Sequence, residues 1–277
     1  MPALQTVREA TVGKLRLRLV RQGGTFIGVV FAADGAQKVR IEGDVADDIW
    51  RQLHAEVGKA DPQYFGFSGA RARFLHFFPG GFQSPDYLDR ERHYKINAKI
   101  KLESTAPLNE AVVGSGFGAA VLSAFQTTNL LSPYELIRVR DMLKSSDADI
   151  FIRSAAQFAL GEINTALIAM DRVLRPYDSA KWTVVTYLPF LWRPEAHMFL
   201  KPMVTKDYAA RIGHRFAFDY QSSLDIETYR SLLDLVEETA GQLVELEPRD
   251  RIDIQSFIWI VGAYQEETES AGRDEME

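Results

Sequence analysis

Leu15, Leu17 and Leu19 alternate with Arg16 and Arg18, the period of a strand with one buried face. Gly23-Gly24 turns the chain into a second strand over 25–32, and Asp34-Gly35 is a hairpin signal before a third over 37–41. Val45, Ile49, Leu53 and Val57 then recur every fourth residue, one face of a helix that closes at Gly58. The spacing predicts an antiparallel meander of three strands followed by a helix over 14–58. A second hairpin is expected over 64–67 and 71–78, joined at Ser68-Gly69.

The middle of the chain reads as helical. Ser84-Pro85 has the cap-then-proline form of a helix start, and that helix is expected to run to residue 103. A second helical segment follows Pro107, and Ser132-Pro133 opens a third that reaches Lys144. Two more, over 149–160 and 162–174, flank Gly161. Residues 182–191 are dense in β-branched and aromatic side chains and predict a strand, which Arg193-Pro194-Glu195-Ala196 turns into 197–200. A short helix over 205–212 stops at Gly213, and Phe216, Phe218 and Tyr220 alternate as a strand. Tyr229, Leu232, Val236, Ala240 and Leu243 then line one face of a long helix. Pro248 ends it, and Asp250 caps a last apolar segment.

These elements give an α+β chain: an N-terminal antiparallel β-meander with helix and hairpin, a helical middle, and a mixed β-hairpin and helix C-terminal part. The expected division is a β-rich domain over 1–105, a mainly helical domain over 106–264, and a disordered acidic tail over 265–277.

Composition removes several chemistries from this layout. The 277 residues include no cysteine, which excludes disulfides, thiolate-held metals and cysteine nucleophiles. The histidines at 54, 76, 93, 197 and 214 show no metal-ligand spacing, so no metal site and no cofactor is assigned. No apolar run reaches membrane length, so no membrane contact is expected. The opening residues MPALQTVREA lack a charged-then-apolar pattern, so no secretory leader is expected and the location reads as cytoplasmic. The net charge of −6 is uneven: residues 1–106 hold 16 Lys and Arg against 12 Asp and Glu, and the rest 16 against 26. A basic N-terminal third permits an anionic partner.

Four groups of residues carry candidate chemistry. The first is Gly114-Ser115-Gly116-Phe117-Gly118-Ala119, which matches the G-x-G-x-x-A form of a dinucleotide loop but lacks a clear strand before it. The other reading is a loop or a small-residue packing site. The second is the basic set Arg71, Arg73, Arg90, Arg92, Lys95 and Lys99, interleaved with Phe74, Phe77, Phe78, Tyr87 and Tyr94. Cations for phosphates and aromatics for bases are both present, although a solvated helix face is the commoner origin of such a pattern. Arg193, His197 and Lys201 form the third group. On a strand His197 and Lys201 share a face and bind a small anion or exchange protons; the competing reading is an ordinary half-exposed hairpin. The fourth is Asp253 and Gln255, polar residues inside an apolar segment that need partners if buried. No G-x-S-x-G elbow, phosphate-binding Walker motif or H-E-x-x-H occurs.

The segments WTVVTYLPFLWRPEAHMFLKP, at 182–202, and RIDIQSFIWIVG, at 251–262, resemble a family of uncharacterised bacterial proteins without an assigned activity. Some members look like accessory proteins of restriction or phage-defence systems, which implies no role for any single residue here. The leading expectation is therefore a nucleic-acid-associated accessory protein that contacts the phosphates of DNA or RNA through its basic N-terminal surface. The alternatives are an enzyme or sensor for a nucleotide or other small anion near His197 and Lys201, and a scaffold that binds a partner protein. The residues leave open whether the chain is an enzyme.

Overall fold

A computed structural model describes residues 4–12, 14–59 and 64–264; the acidic tail lies outside them. Strands β1 (Gln5–Val12), β2 (Leu15–Gln22), β3 (Thr25–Phe31) and β4 (Gln37–Gly43) form an antiparallel sheet in sequential order. Gly23 and Gly35 take positive φ at the turns that the glycines announced. Leu17 pairs with Val30, which pairs with Val39, and Leu19 pairs with Gly28, which pairs with Ile41. These residues form the inner face, against which helix α1 (Ala46–Gly58) lays Ile49, Trp50, Leu53 and Val57. Contact is close because Gly28 has no side chain: a Cβ there would stand 2.6 Å from Ile49 Cγ2. The first strand was absent from the expected meander. It is an edge strand, and most of its side chains are solvated.

Among the described residues, every regular element of the larger block that follows is helical, and the α+β class stands. Helix α2 (Gly66–Phe77) replaces the hairpin expected over 64–78. Ala70, Phe74 and Phe78 recur every four residues and are wholly buried, so tertiary burial of that stripe overrides the turn signal of Ser68-Gly69. Ser84 Oγ accepts from Tyr87 N and starts α3 (Pro85–Tyr87), which continues through a π-helical turn, Leu88–Arg92, into α4 (His93–Thr105). A π turn fits one extra residue into the helix, and here it carries Glu91 and Arg92 inward.

Short helices α5 (Leu108–Ala111) and α6 (Gly118–Phe125) lead to α7 (Pro133–Leu143), opened by a reciprocal capping box between Ser132 and Glu135. Helices α8 (Ala148–Ala159) and α9 (Ile163–Leu174) pack as a pair. The strand expected over 182–191 is instead two short helices, α10 (Trp182–Val185) and α11 (Tyr187–Trp192). Every residue from Trp182 to Trp192 is buried, so no face is left polar and neither period is written in the sequence. Residues 197–200 are irregular backbone and pair with no strand, so the second arm of the expected C-terminal hairpin is missing too.

Helix α12 (Pro202–Ile212) stops at Gly213 in the left-handed region, as its glycine suggested. The alternating Phe216 and Phe218 belong to a single helical turn, α13 (Phe216–Asp219), rather than to a strand. Helix α14 (Ile226–Gln242) follows, and α15 (Arg251–Ala263) begins at the Asp250 cap.

Two apolar cores result. One lies between the sheet and α1, and the other runs from Ala70 to Val261. They meet where α1 ends: a Cβ on Gly58 would stand 2.5 Å from Gly213 Cα. Phe65 N also donates to Arg211 O across this joint, at 3.0 Å.

Candidate functional site

The densest polar grouping lies inside the helical block, where α15 begins. Asp253 is wholly buried and accepts from Tyr87 Oη at 2.6 Å, Arg92 Nη1 at 2.8 Å and Arg249 Nε at 2.9 Å. Arg92 grips Asp250 through both terminal nitrogens, at 2.8 and 2.7 Å. One turn further along α4, Lys95 Nζ donates to Ser256 Oγ at 2.7 Å and stands 3.4 Å from Glu91 Oε2, while Tyr264 Oη donates to Glu91 Oε1 at 2.6 Å. Three cations thus face three carboxylates. The network spans residues more than 150 positions apart and ties the π turn to α15.

A lysine beside a serine contains the parts of a nucleophile and its base. Burial pushes the Lys95 ammonium down to about 8, against the pull of Glu91. Both side chains are nevertheless sealed from solvent, and Ser256 Oγ donates its own proton to Ile252 O at 2.9 Å. No substrate reaches them, so the pair acts as a structural tie.

This placement decides how the basic set is used. Arg92 and Lys95 point inward. Arg71 pairs with Glu245 at 2.6 Å, and Lys99 pairs with Glu103. Arg73 donates to the carbonyls of Val261 and Tyr264. Arg90 stands 3.4 Å from Asp86, with its guanidinium over the rings of Phe78 and Tyr264. The interleaved Phe74, Phe78 and Tyr87 are core. The six cations are spread over α2 and the 85–105 helix, with two of them inside the fold.

Arg193, His197 and Lys201 do not converge either. His197 is 4% exposed. Its Nε2 donates to Ala159 O at 3.0 Å, and its Nδ1 accepts from Tyr229 Oη at 3.2 Å. Burial pushes it down to about 4, so the ring is neutral near pH 7. Arg193 pairs with Glu195 at 2.8 Å and also reaches Ala159 O. Lys201 turns elsewhere: its Nζ donates to Leu130 O at 2.9 Å and sits over the Trp259 ring, 5.5 Å from the centroid. The shared face expected of a strand is lost because 197–200 is irregular backbone.

Lys201 instead lines a cleft of about 40 Å³ with Tyr94, Asn129, Leu130, Gln255 and Trp259. A recess of about 10 Å³ adjoins it, also bordered by Lys201, Gln255 and Trp259, with Val204 and Ile258 as apolar walls. A larger hollow of about 270 Å³ is lined by Glu135, Lys181, Trp182, Thr183, Tyr220 and Ser222. The polar character of Asp253 and Gln255 inside an apolar segment was visible in the sequence. What each one touches was not.

The glycine run is a packing turn. No strand precedes it, since Ala111 ends α5, and Gly116 N already donates to Asp149 Oδ1 at 2.7 Å. A Cβ on Gly118 would stand 2.4 Å from Leu143 O, so this glycine serves the approach of two helices rather than of a pyrophosphate.

The outward face of the sheet is built differently. Arg18 pairs across the ladder with Glu9 on one side and Val29 on the other, and Val29 pairs with Arg40, so these side chains share the face away from α1. Arg16 joins them, its guanidinium 5.4 Å from the centre of the Phe31 ring. Arg16, Arg18 and Arg40 are all exposed. Glu9 lies 3.7 Å from Arg16, and Glu42 pairs with Arg40. Residues 1–43 contain seven Lys and Arg against three Asp and Glu, a surplus of four in a chain whose net charge is −6. No family model, curated protein or solved structure matches this chain.

Proposed function

We propose that this protein contacts the phosphates of a nucleic acid through the outward face of its N-terminal sheet, as an accessory rather than a catalytic element. The observation that carries the reading is the placement of Arg16, Arg18 and Arg40 on one exposed sheet face, within the segment that holds the cationic surplus. Phosphate contacts need guanidinium groups that solvent and counterions can reach. The sheet arginines meet that condition, whereas Arg92, Lys95 and Arg249 are committed to internal carboxylates. Phe31, under Arg16, adds a ring beside the cations for contact with an unpaired base.

The test is fluorescence anisotropy with labelled duplex DNA, single-stranded DNA and RNA across a salt series. Three phosphate contacts give a log–log slope of about −2.7, so affinity falls roughly 40-fold between about 50 and 200 mM salt. Replacing Arg16, Arg18 and Arg40 by Gln removes most of that slope. A companion variant, Arg71→Gln with Arg90→Gln, leaves it intact. Salt-independent binding, or loss confined to the companion variant, defeats the reading.

A further inference from the structure

The hollow of about 270 Å³ beside α7 is large against the roughly 10–15 Å³ that one water needs. Four separate parts of the chain wall it: Glu135 in the first turn of α7, Lys181 and Trp182 where α10 begins, Pro202 at the start of α12, and Tyr220 with Ser222 from the segment before α14. That last segment is pinned in place. Trp182 Nε1 donates to Gln221 O at 2.9 Å, and Gln221 N donates to Thr228 Oγ1 at 3.3 Å.

Two opposite charges line this space without meeting, and both side chains are half-buried. The Glu135 carboxylate accepts from Ser132 N and Oγ, both at 2.8 Å, and from Thr183 Oγ1 at 2.5 Å, so every bond it makes is to a neutral donor. A carboxylate offers about four acceptor positions, which leaves one on Oε1. Burial works to raise its pKa, yet these bonds and the nearby charge of Lys201 hold it below the usual carboxylate range, so it is ionised at neutral pH. Lys201 itself turns to Leu130 O and the Trp259 ring. Lys181 makes no hydrogen bond or ion pair among the described residues, and its Nζ therefore lies more than 4.0 Å from the Glu135 carboxylate. Ala180, Pro202 and the Tyr220 ring supply apolar wall.

We propose that this hollow binds a free α-amino acid with a small apolar side chain, as its zwitterion. The ammonium donates to Glu135, the carboxylate accepts from Lys181, and the side chain lies against Ala180, Pro202 and the Tyr220 ring. An ion pair too far apart to close is closed by one molecule that carries both charges, through two charge-assisted hydrogen bonds. A simple acid would bring a second anion to Glu135, and a simple amine would bring a second cation to Lys181. The site is separate from the sheet face, and neither reading depends on the other.

L-Leucine is the probe, with isocaproate and isoamylamine as the same skeleton lacking the ammonium or the carboxylate. Isothermal titration calorimetry on the full chain, at neutral pH and low salt, gives saturable binding of leucine with Kd of about 0.1–1 mM, as a ligand of so few heavy atoms permits. The acid and the amine bind at least about tenfold more weakly, since each lacks one charge-assisted contact. Lys181→Gln, at a half-buried position without a described bond, removes the advantage of leucine over isoamylamine. Glu135→Gln keeps the form of the capping box and removes the advantage of leucine over isocaproate. No saturation with leucine, an analogue that binds as tightly as leucine, or wild-type leucine affinity in Lys181→Gln overturns the assignment. If Glu135→Gln fails to fold, the analogue series and Lys181→Gln still decide.

Discussion

Arg16 and Arg40 on the sheet hold their guanidinium groups in solvent beside single carboxylates that salt screens, and Arg18, also exposed, donates to Thr6 Oγ1. Arg92, in the π turn, lies between Asp250 and Asp253 with its side chain almost wholly enclosed. The residue type is the same and the physical regime is opposite. An exposed arginine contributes little to stability and stays available to a ligand. An enclosed one is held by its partners, and removing it strands their charges. Counting basic residues along the chain therefore cannot separate a binding surface from a structural lock, because burial decides between them.

Three variants sharpen that contrast. Arg92→Met leaves Asp253 wholly buried with less of its charge answered, and the expected loss is about 3–5 kcal/mol in urea unfolding. A loss below 1 kcal/mol would place Arg92 with the surface arginines. His197 comes next. Its folded pKa of about 4 lies below the 6.5 of the unfolded chain, so its contribution is complete above pH 6.5 and is lost as pH falls through that window to 4. The full swing is about 3 kcal/mol. Stability measured against pH for the wild type and His197→Gln should diverge only below pH 6.5, and parallel curves would refute a buried neutral ring. The smallest effect belongs to the sheet: Arg16→Gln with Arg18→Gln should change unfolding free energy by no more than about 0.5 kcal/mol.

The same divide explains what could be read from sequence. The alternating leucines of β2 and the glycine turns announce the meander, because one face of that sheet is solvated and the period shows. Ser84-Pro85, the Ser132 to Glu135 box and Asp250 announce helix starts through local hydrogen bonds that need no distant partner. Residues 182–192 defeat pattern reading because burial on every side erases the period. At the candidate sites, Asp253 and Gln255 stand out as polar residues among apolar ones. Arg92 and Lys95 give no local sign that they are buried, since their partners lie on α15 and on the turn before it. The cleft at Lys201 gathers residues from α4, the 129–130 loop, the 197–201 segment and α15. Only the tertiary fold brings these together.

The π turn at Leu88–Arg92 makes chain length itself a constraint. Each residue of a helix advances the direction of its side chains by about 100°. Deleting one residue there would restore an ordinary helix, yet swing Tyr87 and everything before it away from Asp253. Among variants of this chain, surface loops can lengthen and shorten at small thermodynamic cost. The count of residues between Ser84 and Lys95 cannot change in that way, even where every substitution within it is mild.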